Sequence, residues 1–531
     1  QLINPSETNP ENWSEDQRPD FSGMNPNHFT VYEVHVRDFS ISENSGMENK
    51  GKFLAFTEKG TKNSKGLSTG IDHLKEMGIT HVHLLPAFDF YTVDETRLDE
   101  PQYNWGYDPQ NYNVPEGSYS TNPADGAVRI KEFKEMVQAL HEEGIGVVMD
   151  VVYNHTSRTD GLSFEELVPG YYYRHWNDST LGNASGCGNE VASDQPMMRK
   201  FMVESLKYWA DEYHVDGFRF DLMAIHDIET MKLIEQELRE SNPNVLLYGE
   251  GWTAGDSPLP AEKRALKAHT RKMPGIAAFS DEIRDGLKGH WSSHESKGYV
   301  SGNFDLKESV KFGIIGGIDH PQVDYAAVNN TDTAWAAEPH QCMVYVSCHD
   351  NHTLYDKLKI ANPEATEEEI REMHLLSNFV VLTSQGVPFL HAGVEFLRTK
   401  HGVENSYQSP DSINQIDWDE KSRNKKQVDQ YKTLIELRKD HPSFWLGSAH
   451  EVRGRLTFLK SPEGVIAYEI ESPKEDDWKR VVVVVNATNS NADWNVPAGE
   501  WDLVYPEYNL STDFLKGKLS ARQGYIFAEK R

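Results

Sequence analysis

Short apolar runs recur eight times between residues 28 and 393, and segments of helical periodicity separate most of them. The runs are 28–39, 80–86, 145–152, 215–221, 245–252, 276–279, 341–350 and 386–393, rich in β-branched and aromatic residues. Runs of that length and composition read as strands. Segments 71–77, 128–143, 197–213, 226–239, 367–383 and 424–438 instead place apolar residues three and four apart, as Ile130, Phe133, Val137 and Leu140 do, and read as helices. Strands alternating with helices imply a parallel sheet covered by helices. Eight such units in about 410 residues predict an α/β fold, a (β/α)8 TIM barrel with insertions.

Beyond residue 441 the helical pattern stops. Short alternating runs at 456–459, 465–470, 481–486, 501–504 and 524–527 predict a small antiparallel β-sandwich. The expected organisation is therefore a polar segment at 1–25, read as a linker or the tail of a missing N-terminal module, a catalytic barrel at 26–440 and a β-sandwich at 441–531. Two stretches lack a clear pattern: a loop of about 40 residues ending near Gly126, and residues 286–340. A loop that long in a compact domain usually has a function. It holds Tyr103-Asn-Trp-Gly-Tyr-Asp-Pro109, dense in aromatics.

Charge narrows the partners. With 83 acidic and 53 basic residues the net charge is −30. That argues against nucleic acid and an anionic membrane surface as partners and leaves a neutral substrate unopposed. No apolar run is long enough to span a bilayer. Cys187, Cys342 and Cys348 are odd in number and show no C-x-x-C spacing, so they are expected as small packed residues and leave the compartment open.

In a (β/α)8 barrel the active site lies at the C-terminal ends of the strands. Polar residues collect there: Asp150, Asn154 and His155 at the third, Arg219 and Asp221 at the fourth, Glu250 and Trp252 at the fifth, His349 and Asp350 at the seventh. Arg219 and Asp221 are two apart, so they share a strand face, and the guanidinium is expected to keep the aspartate ionised. Taken alone that is equally a structural ion pair. Carboxylates from three strands at one mouth are harder to explain by packing, because an unpaired buried carboxylate is costly. Two close carboxylates beside aromatic rings suit hydrolysis of a glycosidic bond, one attacking the anomeric carbon and the other protonating the leaving oxygen. Glu250, flanked by glycines and beside Trp252, is expected to have a raised pKa as the acid, and Asp221 to be the ionised nucleophile. These roles predict a bell-shaped pH profile. A rival reading is a metal-dependent hydrolase, since His81 and His83 are two apart on one strand face.

Asp150-Val-Val-Tyr-Asn-His155, Gly217-Phe-Arg-Phe-Asp221, Gly249-Glu-Gly-Trp252 and Val346-Ser-Cys-His-Asp350 resemble, in order, the four signature regions of the α-amylase superfamily of retaining glycoside hydrolases. Tyr103-Asn-Trp-Gly-Tyr-Asp-Pro109 resembles the further signature of type I pullulanases. The resemblance implies Asp221 as nucleophile, Glu250 as general acid/base and Asp350 as transition-state stabiliser. It implies that Arg219 orients the nucleophile, that His155 and His349 bind sugar hydroxyls, that Tyr107 stacks under the sugar and that Trp252 stacks on the leaving-group side. It also implies that Asp411 and Asn414 contact the neighbouring sugar, and that Asp150 and Asp108 are structural. It further implies an α-glucan substrate cleaved at α-1,6 linkages, no cofactor for the chemistry, and compatibility with a structural calcium ion, and the chain is expected to be a monomer. No catalytic metal ligand is expected.

Overall fold

The computed structural model describes residues 3–177, 179–506 and 517–531. The barrel strands are short: β1 (Val31–Val34), β2 (His81–Leu84), β3 (Gly146–Val151), β4 (Gly217–Phe220), β5 (Leu246–Gly249), β6 (Ile276–Phe279), β7 (Cys342–Val344) and β8 (Val387–His391). They close into a parallel barrel in chain order, with β1 between β8 and β2. Every residue in these strands is buried. Both faces are covered, which is why the runs are apolar throughout and do not alternate. Helices α1 (Gly70–Met77), α2 (Gly126–Glu142), α3 (Pro196–Glu212), α4 (Ile228–Ser241), α5 (Asp281–Lys288), α6 (Lys307–Ile314), α7 (Glu367–Thr383) and α8 (Lys425–Asp440) lie between or after them. Their ends follow local chemistry. Gly78 terminates α1 in the left-handed region at φ +76, the Asp125 carboxylate accepts from the Ala127 amide to start α2, and Thr366 with Glu369 forms a capping box on α7.

Several runs hold less strand than their composition suggests. In 28–39 the strand stops at Val34, and Val36–Ser40 coils into a short helix whose Asp38 amide donates to the His35 ring. In 341–350 only Cys342–Val344 is strand. The long loop before Gly126 is in turn partly ordered, since Phe88–Phe90 pairs antiparallel with Pro109–Pro115. The 286–340 stretch contains α6.

The chain divides into two units, one comprising Gln1–Met24, Tyr32–Phe279 and Ser406–Asp419, the other Asn25–Val31, Ser280–Asn405 and Glu420–Arg531. In the first unit the polar opening segment, expected as a linker, is folded onto α2 and the end of α3. Trp13 stacks on His214 at 4.1 Å between ring centroids. Lys134 of α2, its side chain fully buried, donates to Asn9 Oδ1 and pairs with Glu212. Asp16 Oδ2 accepts from His141 Nδ1 at 2.9 Å and from His214 Nδ1 at 2.7 Å, while His141 Nε2 lies 2.8 Å from Asp216 Oδ2.

Both ring nitrogens of His141 face carboxylates, so the imidazolium is the form that fits. Burial opposes its charge, but Asp216 and Asp16 outweigh burial and hold its pKa at about 9. Because the folded value is raised, the contribution is complete below the ordinary histidine value of about 6.5 and disappears as pH rises through 9. Its size is on the order of 2–3 kcal/mol. His141→Gln should therefore lower Tm at pH 6 by several degrees and flatten the fall of Tm between pH 7 and 10. Thermal melts across that range test this, and an unchanged slope would refute it.

In the second unit β9 (Leu456–Leu459), β10 (Val465–Glu471), β11 (Trp478–Asn486), β12 (Asp502–Tyr505) and β13 (Gln523–Lys530) form an antiparallel sheet in the order β9-β10-β11-β13-β12. The five valines Val481–485 are all buried because both faces of β11 are covered. Val482 and Val484 pack with Trp494, Leu519, Tyr525 and Phe527. On the α7 side the Tyr468 hydroxyl donates to the Thr383 carbonyl, and a Cβ at Gly524 would lie 2.6 Å from the Phe379 ring. Among the described residues Ala492–Asp493 also pairs antiparallel with Lys518–Leu519, and Ala492 and Leu519 pack against the sheet residues Val482 and Val484. Among the described residues no helix is long and apolar enough to cross a membrane.

Candidate active site

Strand register brings the charged groups of the first unit together. Asp150 of β3 pairs with Arg219 of β4, and Phe220 pairs with Gly249 of β5, so Asp221 and Glu250 emerge side by side just past two neighbouring strands. The Asp221 amide donates to the Val151 carbonyl and the Glu250 amide to the Phe220 carbonyl, which extends the ladder to these two residues.

Arg219 is the hub. Its Nη1 lies 2.9 Å from both Asp150 Oδ1 and Asp221 Oδ1, and its Nη2 lies 2.7 Å from Glu250 Oε1. Its side chain is 3% exposed, against 12% for Asp221 and 7% for Glu250, so the cation is sealed while the two candidate catalytic groups sit at the edge of solvent. Asn154 Nδ2 donates to Asp221 Oδ2 at 2.7 Å and to the Asp221 carbonyl at 3.0 Å. The Leu222 amide donates to Glu250 Oε2 at 2.9 Å. Asp150 is fully buried, and its Oδ2 accepts from the Tyr107 hydroxyl at 2.7 Å and faces His83 Nε2 at 3.2 Å. His155 is buried, with ring nitrogens 2.6 Å from Asn154 Oδ1 and 2.9 Å from the Tyr107 carbonyl.

Two electrostatic expectations change. Asp221 was expected to be held ionised by Arg219. Burial instead pushes its pKa above the ordinary carboxylate value, with Asp150 adding to the rise, while Arg219, His155 and Asn154 pull the other way. Glu250 was expected in apolar surroundings. It is buried, but both of its oxygens accept hydrogen bonds, one of them from the same arginine. Burial lowers the His155 pKa, against the pull of Asp221, and raises that of Tyr107.

The aromatic stretch of the long loop forms the wall beside this cluster. Tyr103, Trp105 and Tyr107 alternate onto one face and pack with Leu85. Gly106 has φ +97, and a Cβ there would lie 2.9 Å from Phe90, so no other residue fits the bend. Burial pushes the Asp108 carboxyl up while Thr92 donates to it. Trp252 is half-buried in the loop that follows Glu250.

Other candidates land elsewhere. Asp411 makes a two-toothed ion pair with Arg37, at 2.7 Å for each bond. Asn414 requires a correction: it is fully buried, its oxygen accepts from Ser406 Oγ and its amide donates to the Ser406 and Ser409 carbonyls. No face of that side chain is left for a sugar. In the second unit His349 and Asp350 follow β7, with His349 Nε2 lying 3.6 Å from Asp350 Oδ1 and Lys400 Nζ donating to the His349 carbonyl at 3.2 Å. The Asp350 side chain is about half exposed.

The histidine pair of the rival metal-dependent reading does not converge. His81 stacks on Phe21 and bonds Thr80, whereas His83 faces Asp150. Among the described residues, Asp89, Glu95 and Glu116 are the group close enough to share an ion. Arg129 already supplies a cation to two of these carboxylates, Asp89 and Glu95. Reasoning from the sequence did not give Asn154 a role, although it sits inside the same signature region as His155. Its signal was adjacency to a strand end carrying Asp150.

Comparison with known proteins bears on the family and the fold. Residues 34–178 match the family model described as the alpha amylase catalytic domain, and residues 452–508 match the pullulanase all-beta domain. The pullulanase of Bacillus subtilis (strain 168) is 43% identical over 475 residues, which is 88% of this chain and 64% of that protein. Chloroplastic pullulanase 1 of Arabidopsis thaliana is 34% identical, covering 85% of this chain and 54% of the plant protein. The chain therefore spans about half to two thirds of the length of these relatives. A crystal structure of the pullulanase from Paenibacillus barengoltzii, in complex with maltohexaose and α-cyclodextrin, superposes with a TM-score of 0.95 at 45% identity and covers all of this chain and 81% of that one.

Proposed function

The chain belongs to the pullulanase family within the α-amylase superfamily, and on that premise we propose that it is a retaining glycoside hydrolase that cleaves α-1,6-glucosidic linkages in pullulan and branched α-glucans. The observation that carries the chemistry is the clamping of Asp221 and Glu250 on the two ends of one buried guanidinium, at the mouths of adjacent strands. The choice of linkage is supported by the Tyr103–Pro109 wall and by the relatives.

In the proposed reaction an Asp221 oxygen attacks the anomeric carbon as the bond to the glycosidic oxygen breaks. Glu250 gives that oxygen a proton, which requires it to leave Arg219 when substrate enters. A glycosyl ester on Asp221 results. Glu250, now a carboxylate, takes a proton from water, and the water oxygen displaces Asp221 with overall retention. Arg219 and Asn154 hold Asp221 in line throughout, and Asp150 fixes Arg219. Asp350 and His349 are assigned to oxocarbenium stabilisation and hydroxyl binding, Tyr107 and Trp252 to stacking, and Asp411 to contact with the neighbouring sugar. None of these roles calls for a metal or an organic cofactor.

Analysis of the products from pullulan tests the linkage. Maltotriose as the sole trimer is expected. Panose or isopanose would show α-1,4 cleavage and overturn the specificity while leaving the two-carboxylate chemistry in place.

A further inference from the structure

A second buried ion pair lies behind the candidate site and joins three of its loops. Arg174 and Glu190 are both in the long excursion after β3, at 7% and 0% exposure. Arg174 Nη1 donates to Glu190 Oε1 at 3.2 Å and to the Ile225 carbonyl, in the segment after β4, at 2.7 Å. Glu190 Oε1 also accepts from Ser257 Oγ, in the loop after β5, at 2.6 Å, and its Oε2 accepts from the Ala184 amide at 2.9 Å. The Ala184 carbonyl in turn accepts from the Ala254 and Gly255 amides. Close by, Asn189 exchanges two hydrogen bonds with the backbone of Thr156, the neighbour of His155. The loop carrying Glu250 and Trp252 is thus tied at Ala254, Gly255 and Ser257 to one fully buried carboxylate and the turn it holds.

A buried ion pair is a poor device for stability alone, because desolvation offsets much of its attraction. It is a good device for geometry, because each of its bonds has one direction. We propose that Arg174 and Glu190 are positioning residues that set the loop after β5, and with it the proton-donating side of the site. The inference rests on reading Glu250 as the acid/base group. Protonation of the leaving oxygen needs hydrogen-bond distance, and a small misplacement is costly.

Leaving-group dependence tests this. Pullulan needs the proton from Glu250, whereas α-maltotriosyl fluoride expels fluoride without one. For the fluoride, kcat/KM reports only the steps up to the glycosyl-enzyme. Glu190→Ala should lower kcat/KM on pullulan by at least about tenfold and change it on the fluoride by less than about twofold. Ser257→Ala, which removes one bond from a partly exposed residue, should show the same split at about threefold, and it decides the matter should Glu190→Ala fail to fold. Equal losses on both substrates, or no loss on pullulan, would overturn the positioning role. A wild type that turns over the fluoride but not pullulan would overturn the linkage assignment, and the inference would then be judged on a 1,4-linked maltooligosaccharide. A wild type inactive on all of these would remove the reading beneath it.

Discussion

Asp221→Asn should lower kcat on pullulan by on the order of 10⁴-fold or more while leaving the fold in place. The amide has the shape of the carboxylate but cannot form the glycosyl ester, so the first step loses its nucleophile. The surroundings sharpen the expectation. Asp221 accepts from Arg219 Nη1 on one oxygen and from Asn154 Nδ2 on the other, so both of these partners are donors. An amide must turn its own NH2 toward one of them. Arg219 would keep Asp150 and Glu250, so the remaining charges stay paired and the loss of stability should be modest. The check is kcat with a thermal melt on the same preparation. Activity within tenfold of wild type, with a native melt, would remove Asp221 from the mechanism.

Arg219→Lys should lower kcat/KM by about 10²–10³-fold and move the acid limb of the pH profile upward. Arginine serves three carboxylates from two nitrogens, and a single ammonium cannot reproduce that fork. Burial pushes the Asp221 pKa up, and Arg219 is the strongest influence in the opposite direction. A cation held less closely lets the pKa rise further. Catalysis needs Asp221 ionised, so the pH at which activity is lost on acidification must shift toward neutrality. The measurement is kcat/KM against pH for both proteins. An unmoved acid limb with the same loss of rate would mean that Arg219 acts only by orienting Asp221 and contributes nothing to its ionisation.

Reading the chain from its sequence succeeded where one local signal sufficed. The barrel was legible because each of its strands is buried on both faces and therefore apolar throughout. The end of α1 was legible because Gly78 acts within one turn. The same local view failed at 341–350, where an apolar run continues past the last ladder bond, and at Pro109–Pro115, where a strand built from Asn, Gln and Pro pairs with Phe88–Phe90. Pairing there depends on a partner distant in sequence, and composition carries no record of it. The opening segment misled for a related reason. Trp13 and Asp16 look isolated among polar residues until α2 and the end of α3 supply Lys134, His141 and His214.

The candidate site shows the same division. Asp150, Asp221 and Glu250 stand in or just past β3, β4 and β5, as the pattern of runs suggests, whereas Asp350 lies six residues beyond the end of β7. Electrostatics could not be read in the same way. An arginine two residues from an aspartate suggests a simple pair, but register adds Asp150 from one strand and Glu250 from another to the same guanidinium, and burial then raises Asp221 against it. Asn414 was expected as a sugar ligand from the family resemblance alone, and the fold turns its amide inward onto two carbonyls. The alternation of runs was enough to read the barrel, because periodicity is a one-dimensional property of the chain. How charge is shared among Asp150, Arg219, Asp221 and Glu250 came from the fold alone, because desolvation and hydrogen bonding depend on neighbours brought from far along the chain.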